Sequence, residues 1–216
     1  DIIGEGGYVP ATGPFGPDSV AYLDDAGFPA YDPEGAAELL AEYVADGGDP
    51  SFTLTTTVDP GVIRTGEVIQ QAAVDAGFEV DLVKRDQAAL INDAIGKGYQ
   101  AMLFRNYPGG DPDANYVWWY GEGNPVNFGG WDDPELNALL DEGRPETDPD
   151  RRVEIYQDVN REMAGDVHGL WLWPTAWAIV EQAEVHGVIG PDLPDGSEPT
   201  RRLATGHSLL GLWKTP

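Results

Sequence analysis

The 216-residue chain carries 38 Asp and Glu against 12 Lys and Arg, a net charge of −26, and 41% of its residues are hydrophobic. That balance excludes nucleic acid, which is bound through Lys and Arg neutralising phosphates; it disfavours anionic membranes and suits solubility and salt tolerance. With no cysteine there is no disulfide, thiolate metal site or Cys nucleophile, and no apolar run approaches the roughly 18 residues a membrane helix needs.

The chain opens at Asp1 with neither Met nor a basic-then-apolar leader, so a processed or truncated product is expected. Residues 1–31, punctuated by Gly4, Gly6, Gly7, Pro10, Gly13, Pro14, Gly16 and Pro17, predict an irregular connector. A device then recurs: Asp-Pro, where Asp caps free helical N–H groups and Pro suits the first helical position. It stands at Asp32-Pro33, Asp59-Pro60, Asp133-Pro134 and Asp148-Pro149. The first opens "PEGAAELLAEYVADGG", with Ala36, Leu39, Leu40, Tyr43 and Val44 on one apolar face and Gly47 as a stop. The second opens "PGVIRTGEVIQQAAVDAG", with Val62, Ile63, Ile69, Ala73 and Ala76 inward.

Strand signals lie between and after these helices. "SFTLTTTV" alternates and is β-branched, and "FEVDLVK" sets Phe78, Val80 and Leu82 on one face. A third helix, "QAALINDAIGKG", follows Asp86 and ends at Gly98; "YQAMLFR" (99–105) is the next strand. Alternating helices and strands with short links predict an α/β fold with parallel strands. Further on, "PELNALLDEG" turns Leu136, Leu139 and Leu140 inward, and "PDRRVEIYQDVNREMAG" does so with Val153, Tyr156, Val159 and Met163. "GLWLWPTAWAIV" (169–180) is apolar on both faces and predicts a strand buried inside the sheet, with Trp171 and Trp173 in the core. From Gly190 the chain turns Pro-, Gly- and acid-rich, and "LLGLWKTP" is a short apolar piece on a loose tail.

One stretch mixes the grammar of core and turn. "GGDPDANYVWWYGEGN" (109–124) sets four large aromatics among Gly, Asp and Pro, just past the third predicted strand. Loops at the carboxyl ends of parallel strands are where α/β proteins place ligands. Trp118 and Trp119 diverge by about 100° if helical, so one belongs in the core and the other nearer the surface.

In order, "YDPEGAAELLAE", "AMLFRNYPGGDPDANY" and "WDDPELNALLDEGRPETDPDRRVEIYQDVNREM" resemble the C-terminal lobe of the family 5 extracellular solute-binding proteins, the peptide- and nickel-type receptors of ABC importers. The likeness runs from Tyr31 to Val188. It implies an α/β lobe of a two-lobed periplasmic-binding-protein-like fold, with a mixed sheet flanked by helices. The connector 1–31 enters that lobe, 31–188 form it, and 189–216, with Trp213, form a tail returning to an absent N-terminal lobe. It also implies no enzyme activity and no cofactor. The receptor is a monomer that takes a peptide or other small-molecule solute in an interlobe cleft. It hands the solute to ABC permease subunits at the extracellular face of the membrane or in the periplasm, held by a lipid anchor in the absent N-terminus. Asn106, Tyr107, Asp111, Asp113, Tyr116 and Trp118 are the implied cleft residues. Peptide-binding members carry a Trp early in this loop and, three residues on, an Asp that holds the peptide amine. Here Arg105 and Pro108 stand at those places, which puts a free-amine peptide in doubt.

Two other chemistries bear on the same residues. Asp111, Asp113, Asn115 and Glu122 occupy positions 1, 3, 5 and 12 of an EF-hand-like spacing, which suggests calcium, but Tyr116 stands where the sharp turn needs Gly. In the simpler account Asp111 and Asp113 cap a turn or helix. A hydrolase lacks support: acidic pairs such as Asp132 and Asp133 follow from composition, and His168, His186 and His207 lack metal-ligand spacing and triad partners.

Overall fold

The computed structural model describes residues 7–105, 111–121, 123–167, 169–175, 180–190, 192, 194–197 and 211–215. Five helices begin where an aspartate caps them. Asp32 accepts from the Gly35 N–H at the start of α1 (Pro33–Ala45). Asp59 accepts from Gly61 and Val62 at α2 (Pro60–Ala76), and Asp86 from Ala88 and Ala89 at α3 (Gln87–Ile95). Asp133 and Asp148 do the same for α5 (Pro134–Gly143) and α6 (Pro149–Asp166). Each such cap contributes about 1 kcal/mol by satisfying donors that no helical carbonyl reaches. At the far end of α2, Gly77 takes φ 108°, a left-handed conformation that closes the helix and releases the chain into the next strand.

The sheet has the order β2-β1-β3, all parallel. β1 (Ser51–Thr57) pairs along its whole length with β2 (Glu79–Arg85), from Ser51 opposite Glu79 to Thr57 opposite Arg85. The expected third strand is much shorter than 99–105: β3 is Ala101–Met102. The cause is local. The Gln100 side-chain oxygen accepts from the Thr53 N–H (2.9 Å) and hydroxyl (3.0 Å), filling the place a strand backbone would take. Beyond Met102 a single further bond, Leu103 N–H to Thr55 O at 2.9 Å, continues the pairing before the chain leaves.

Helix faces depart from the periodicity. On α1 only Leu40 is buried, while Leu39 is 69% exposed and Tyr43 and Val44 lie outward with it. The apolar face is real, but α2 covers one row of it only. On α2 the predicted residues Val62, Ile63, Ile69, Ala73 and Ala76 are half-buried, and the closest approach to the sheet falls at Thr65 and Gly66. A Cβ on Gly66 would lie 2.8 Å from Thr56 Cγ2, so the absence of a side chain sets the spacing between helix and sheet.

The core lies in the helical half. Leu136 and Leu140 of α5 and Tyr156, Val159 and Met163 of α6 meet Trp119, Trp131, Phe15 and Ala21. Full burial of side chains of this size contributes roughly 1.5–3 kcal/mol each. The predicted connector is irregular, yet it is no loose lead-in: Phe15, Ala21 and Ala26 are buried, and Asn160 Nδ2 donates to the Ala21 carbonyl at 2.8 Å. The expected buried strand at 169–180 is corrected over its described part. Residues 169–175 are irregular, Leu170 and Leu172 face outward, and the 176–179 stretch lies outside the described residues. The segment is tethered side-on instead. Ala11 N–H donates to Leu172 O (3.0 Å), Trp173 stacks on Tyr8 (4.8 Å) and Trp171 meets Trp119 edge-on (6.2 Å). Both tryptophans are half-buried. Near the end, β4 (Val185–His186) pairs antiparallel with β5 (Trp213–Lys214), so the described part of the predicted loose tail is held.

Candidate functional site

The strand order makes the site. Chain passing from β1 through α2 to β2 lies to one side of β1, and the connection through α3 brings β3 to the other side. At such a switch the loops after β1 and β3 diverge and leave a crevice at their carboxyl ends. On this edge Val58 follows β1 and is 58% exposed, and Phe104 and Arg105 follow β3, both exposed. Asn106 and Tyr107, two of the expected site residues, lie outside the described residues, as does Pro108.

The chain is next described at Asp111, which caps a 3₁₀ helix (Pro112–Asn115) by accepting from the Asp113 N–H at 2.8 Å. This helix runs into α4 (Tyr116–Trp119). Both carboxylate oxygens of Asp111 are held by the Arg152 fork, Nη2 to Oδ1 at 2.8 Å and Nη1 to Oδ2 at 3.1 Å. That hydrogen-bonded pairing raises the Arg152 pKa. Asp113 accepts from the Tyr156 hydroxyl at 3.2 Å and lies 3.8 Å from Arg144 Nε. Burial first, and then the Asp113 charge, push the Tyr156 phenol well above its ordinary range.

Tyr116 and Tyr120, one turn apart, stack with ring centroids 4.5 Å apart. Their hydroxyls donate to the two oxygens of Asp141, at 2.8 and 3.2 Å. The Arg144 guanidinium lies 4.1 Å from the centre of the Tyr116 ring. Desolvation, and then the hydrogen bond to and charge of Asp141, push the Tyr116 phenol up to about 12. An open depression of about 660 Å³ is lined here by Asp113, Tyr116, Val117, Tyr120, Asn124 and Arg144 among others.

The two tryptophans part as helical geometry requires. Trp119 is 3% exposed and meets Phe15 edge-on, whereas Trp118 is half-buried, 5.6 Å from Phe128. Phe128 in turn meets Phe104 edge-on at 5.4 Å, joining the loop after β3 to the helical half. Lys97, at φ 54°, reinforces this joint by donating to the Asn127 and Phe128 carbonyls, and the Tyr99 hydroxyl donates to Phe128 as well.

The structure thus gathers Asp111, Asp113 and Tyr116 into one network with Arg144, Arg152, Tyr156 and Asp141. Periodicity had no means of finding those partners, because they come from helices 25 to 43 residues further along the chain. The calcium alternative does not fit this arrangement. Asp111 is committed to Arg152, Asn115 is fully buried and donates to Pro112 O, and Glu122 lies outside the described residues. Of the histidines, His186 stacks on Trp213 at 4.1 Å, while His168 and His207 are outside the described residues.

Comparison with known proteins agrees with this architecture. A family model described as bacterial extracellular solute-binding proteins, family 5 Middle, matches residues 1–128. The probable di/tripeptide-binding protein 5 of Pseudomonas aeruginosa (strain UCBPP-PA14) is 28% identical over 200 residues, 85% of this chain and 36% of that protein. A putative peptide binding protein, AppA from Clostridium difficile, superposes with a TM-score of 0.71 at 19% identity, over 86% of this chain and 39% of its own. The dipeptide binding protein of Pseudoalteromonas sp. SM9913, in complex with Met-Leu, gives 0.70 at 19% identity, over 96% and 40%. The likeness to these two structures shows the fold. The chain therefore spans two fifths or less of the length of each of these relatives.

Proposed function

Because this chain belongs to family 5 of the bacterial extracellular solute-binding proteins, we propose that it is one lobe of a receptor that captures a peptide-like or other small solute and delivers it to the permease of an ABC importer. The family is one of binding proteins, not enzymes. The observation that carries the reading is the strand order β2-β1-β3, a switch point that opens a crevice at the carboxyl ends of β1 and β3. In this reading Asn106, Tyr107, Tyr116 and Trp118 meet the solute, and Asp111 and Asp113, tied to Arg152, Arg144 and Tyr156, brace the segment that carries Tyr116 and Trp118. The lobe takes in the 7–26 segment, whose Phe15 and Ala21 enter its core, as well as 31–188, and the β4–β5 pair ties the described end of the chain to it. Capture is conformational: the solute settles on this edge, the second lobe closes over it, and the closed form is what the permease recognises. The receptor works as a lipid-anchored monomer on the extracellular face of the membrane or in the periplasm.

A thermal-shift screen tests the proposal, run on this chain and on a version extended to the length of its relatives. The panel holds short peptides with free and blocked amino termini, oligosaccharides and chelated nickel. A solute at about a hundred times its dissociation constant adds roughly 2.7 kcal/mol. A shift of the longer form by one solute class supports the receptor, whereas no shift by any class in either form refutes it.

A further inference from the structure

Among the described residues, charge pairing singles out one. The chain has 38 carboxylates for 12 bases, so a guanidinium without a carboxylate is an exception. Arg85, Arg144, Arg151, Arg152 and Arg161 each hold one at 2.6 to 3.8 Å. The three lysines are engaged, two with glutamates and Lys97 with carbonyls, and Arg64 has an interaction of its own. Arg105 has no partner among the described residues, and it stands exposed on the carboxyl edge of the sheet, three residues past β3.

We infer that Arg105 anchors a carboxylate of the solute, so that this edge takes a monoanionic ligand with an apolar body. The inference rests on the edge being the solute crevice. Three observations carry it. The free fork matches a carboxylate in two parallel hydrogen bonds. The N-termini of α2 and α3, on the same edge, already give their Gly61, Val62, Ala88 and Ala89 N–H groups to Asp59 and Asp86. Val58 and Phe104, exposed on the same edge, offer apolar surface to the rest of the ligand. The net charge of −26 repels anions overall, and a single carboxylate meets less of that repulsion than a doubly charged phosphate. Anion binding here therefore has to be local.

The test uses the whole chain and matched probes: N-acetyl-leucine, N-acetyl-glutamine and Ala-Leu, each as free acid and as amide. Binding is followed residue by residue in ¹H–¹⁵N spectra. The acids are expected to shift the signals of Val58, Leu103, Phe104 and Arg105 and to bind at least roughly tenfold more tightly than the amides, the worth of one charged hydrogen-bonded contact. Arg105→Gln is expected to abolish that preference, Arg105→Lys to retain part of it, and Arg161→Gln, a surface control on α6, to leave it intact. A preference that survives Arg105→Gln, or no carboxylate-dependent shift across the panel, overturns the inference. Acids and amides that move the same edge signals equally sink the anion anchor and leave the crevice standing. Shifts confined to residues away from the edge sink both.

Discussion

The packing of the 7–26 segment on α6 can be tested with a pair of substitutions. Asn160, fully buried, donates from Nδ2 to the Ala21 carbonyl at 2.8 Å, and its Oδ1 has no partner among the described residues. A Cβ built on Gly13 falls 2.2 Å from that oxygen, far inside van der Waals contact, and 3.5 Å from the next residue, Ala26. Gly13→Ala alone should therefore cost about 1–3 kcal/mol, the usual toll of overpacking a site that cannot give. Asn160→Ala alone should cost about 1–3 kcal/mol, because the Ala21 carbonyl is left buried without a donor. In the double variant the obstructing oxygen is gone, and Gly13 is not at positive φ. Adding the methyl should then be neutral, or stabilising by about 0.4–1 kcal/mol through a less flexible unfolded chain. Urea unfolding followed by tryptophan fluorescence resolves this, since a slope of about 1–3 kcal/mol per molar turns such costs into clear midpoint shifts. If Gly13→Ala costs the same in both backgrounds, the segment does not lie where the structure puts it.

Tyr116 should titrate late. With its pKa raised to about 12 in the fold, it binds its proton more tightly folded than unfolded. Its contribution is fully present below about pH 10, the free phenol value, and is lost as pH rises toward 12. Absorbance at the tyrosinate band in wild type and Tyr116→Phe checks this, and a Tyr116 signal appearing at the ordinary phenol pH would contradict the Asp141 contact. Gly66→Ala gains about 1 kcal/mol of helix propensity, but its methyl meets Thr56 Cγ2 at 2.8 Å and Leu82 Cδ1 at 3.0 Å. Thr56 is fully buried and has no room to yield, so net destabilisation is expected in thermal melts. Finally, the −26 charge makes the fold self-repelling, so the melting temperature should climb with sodium chloride up to about 1 M, where the screening length is about 3 Å. A flat salt response would mean that the carboxylates are already neutralised by their neighbours.

Much of the architecture was legible because its signals are local. Asp-Pro marks a helix start through a hydrogen bond spanning two or three residues, and the structure honours it at Asp32, Asp59, Asp133 and Asp148. Asp111-Pro112 is a further instance, opening a 3₁₀ helix, and it accounts for the aspartate spacing that suggested calcium. The alternating β-branched runs form β1 and β2, and the divergence of Trp118 from Trp119 follows from helical geometry alone. Hydrophobic content misled wherever burial depended on a neighbour. The apolar face of α1 stays largely uncovered because α2 meets only its Leu40 row, and the run at 169–175 is tethered side-on to Tyr8, Ala11 and Trp119 instead of entering the sheet.

The sequence by itself determined the helix starts, the alternation that makes an α/β lobe, the excess of carboxylates and the likeness to a receptor family. Only the tertiary structure decided which carboxylates found cations, because Asp111 and Arg152 are 41 residues apart and meet only when α6 packs against the helical half. The same packing draws Asp113 and Asp141 onto Tyr156 and Tyr116 and leaves Arg105 without a counter-ion among the described residues. Local rules act over a turn or two of backbone; charge pairing acts through space, and the fold alone sets those distances.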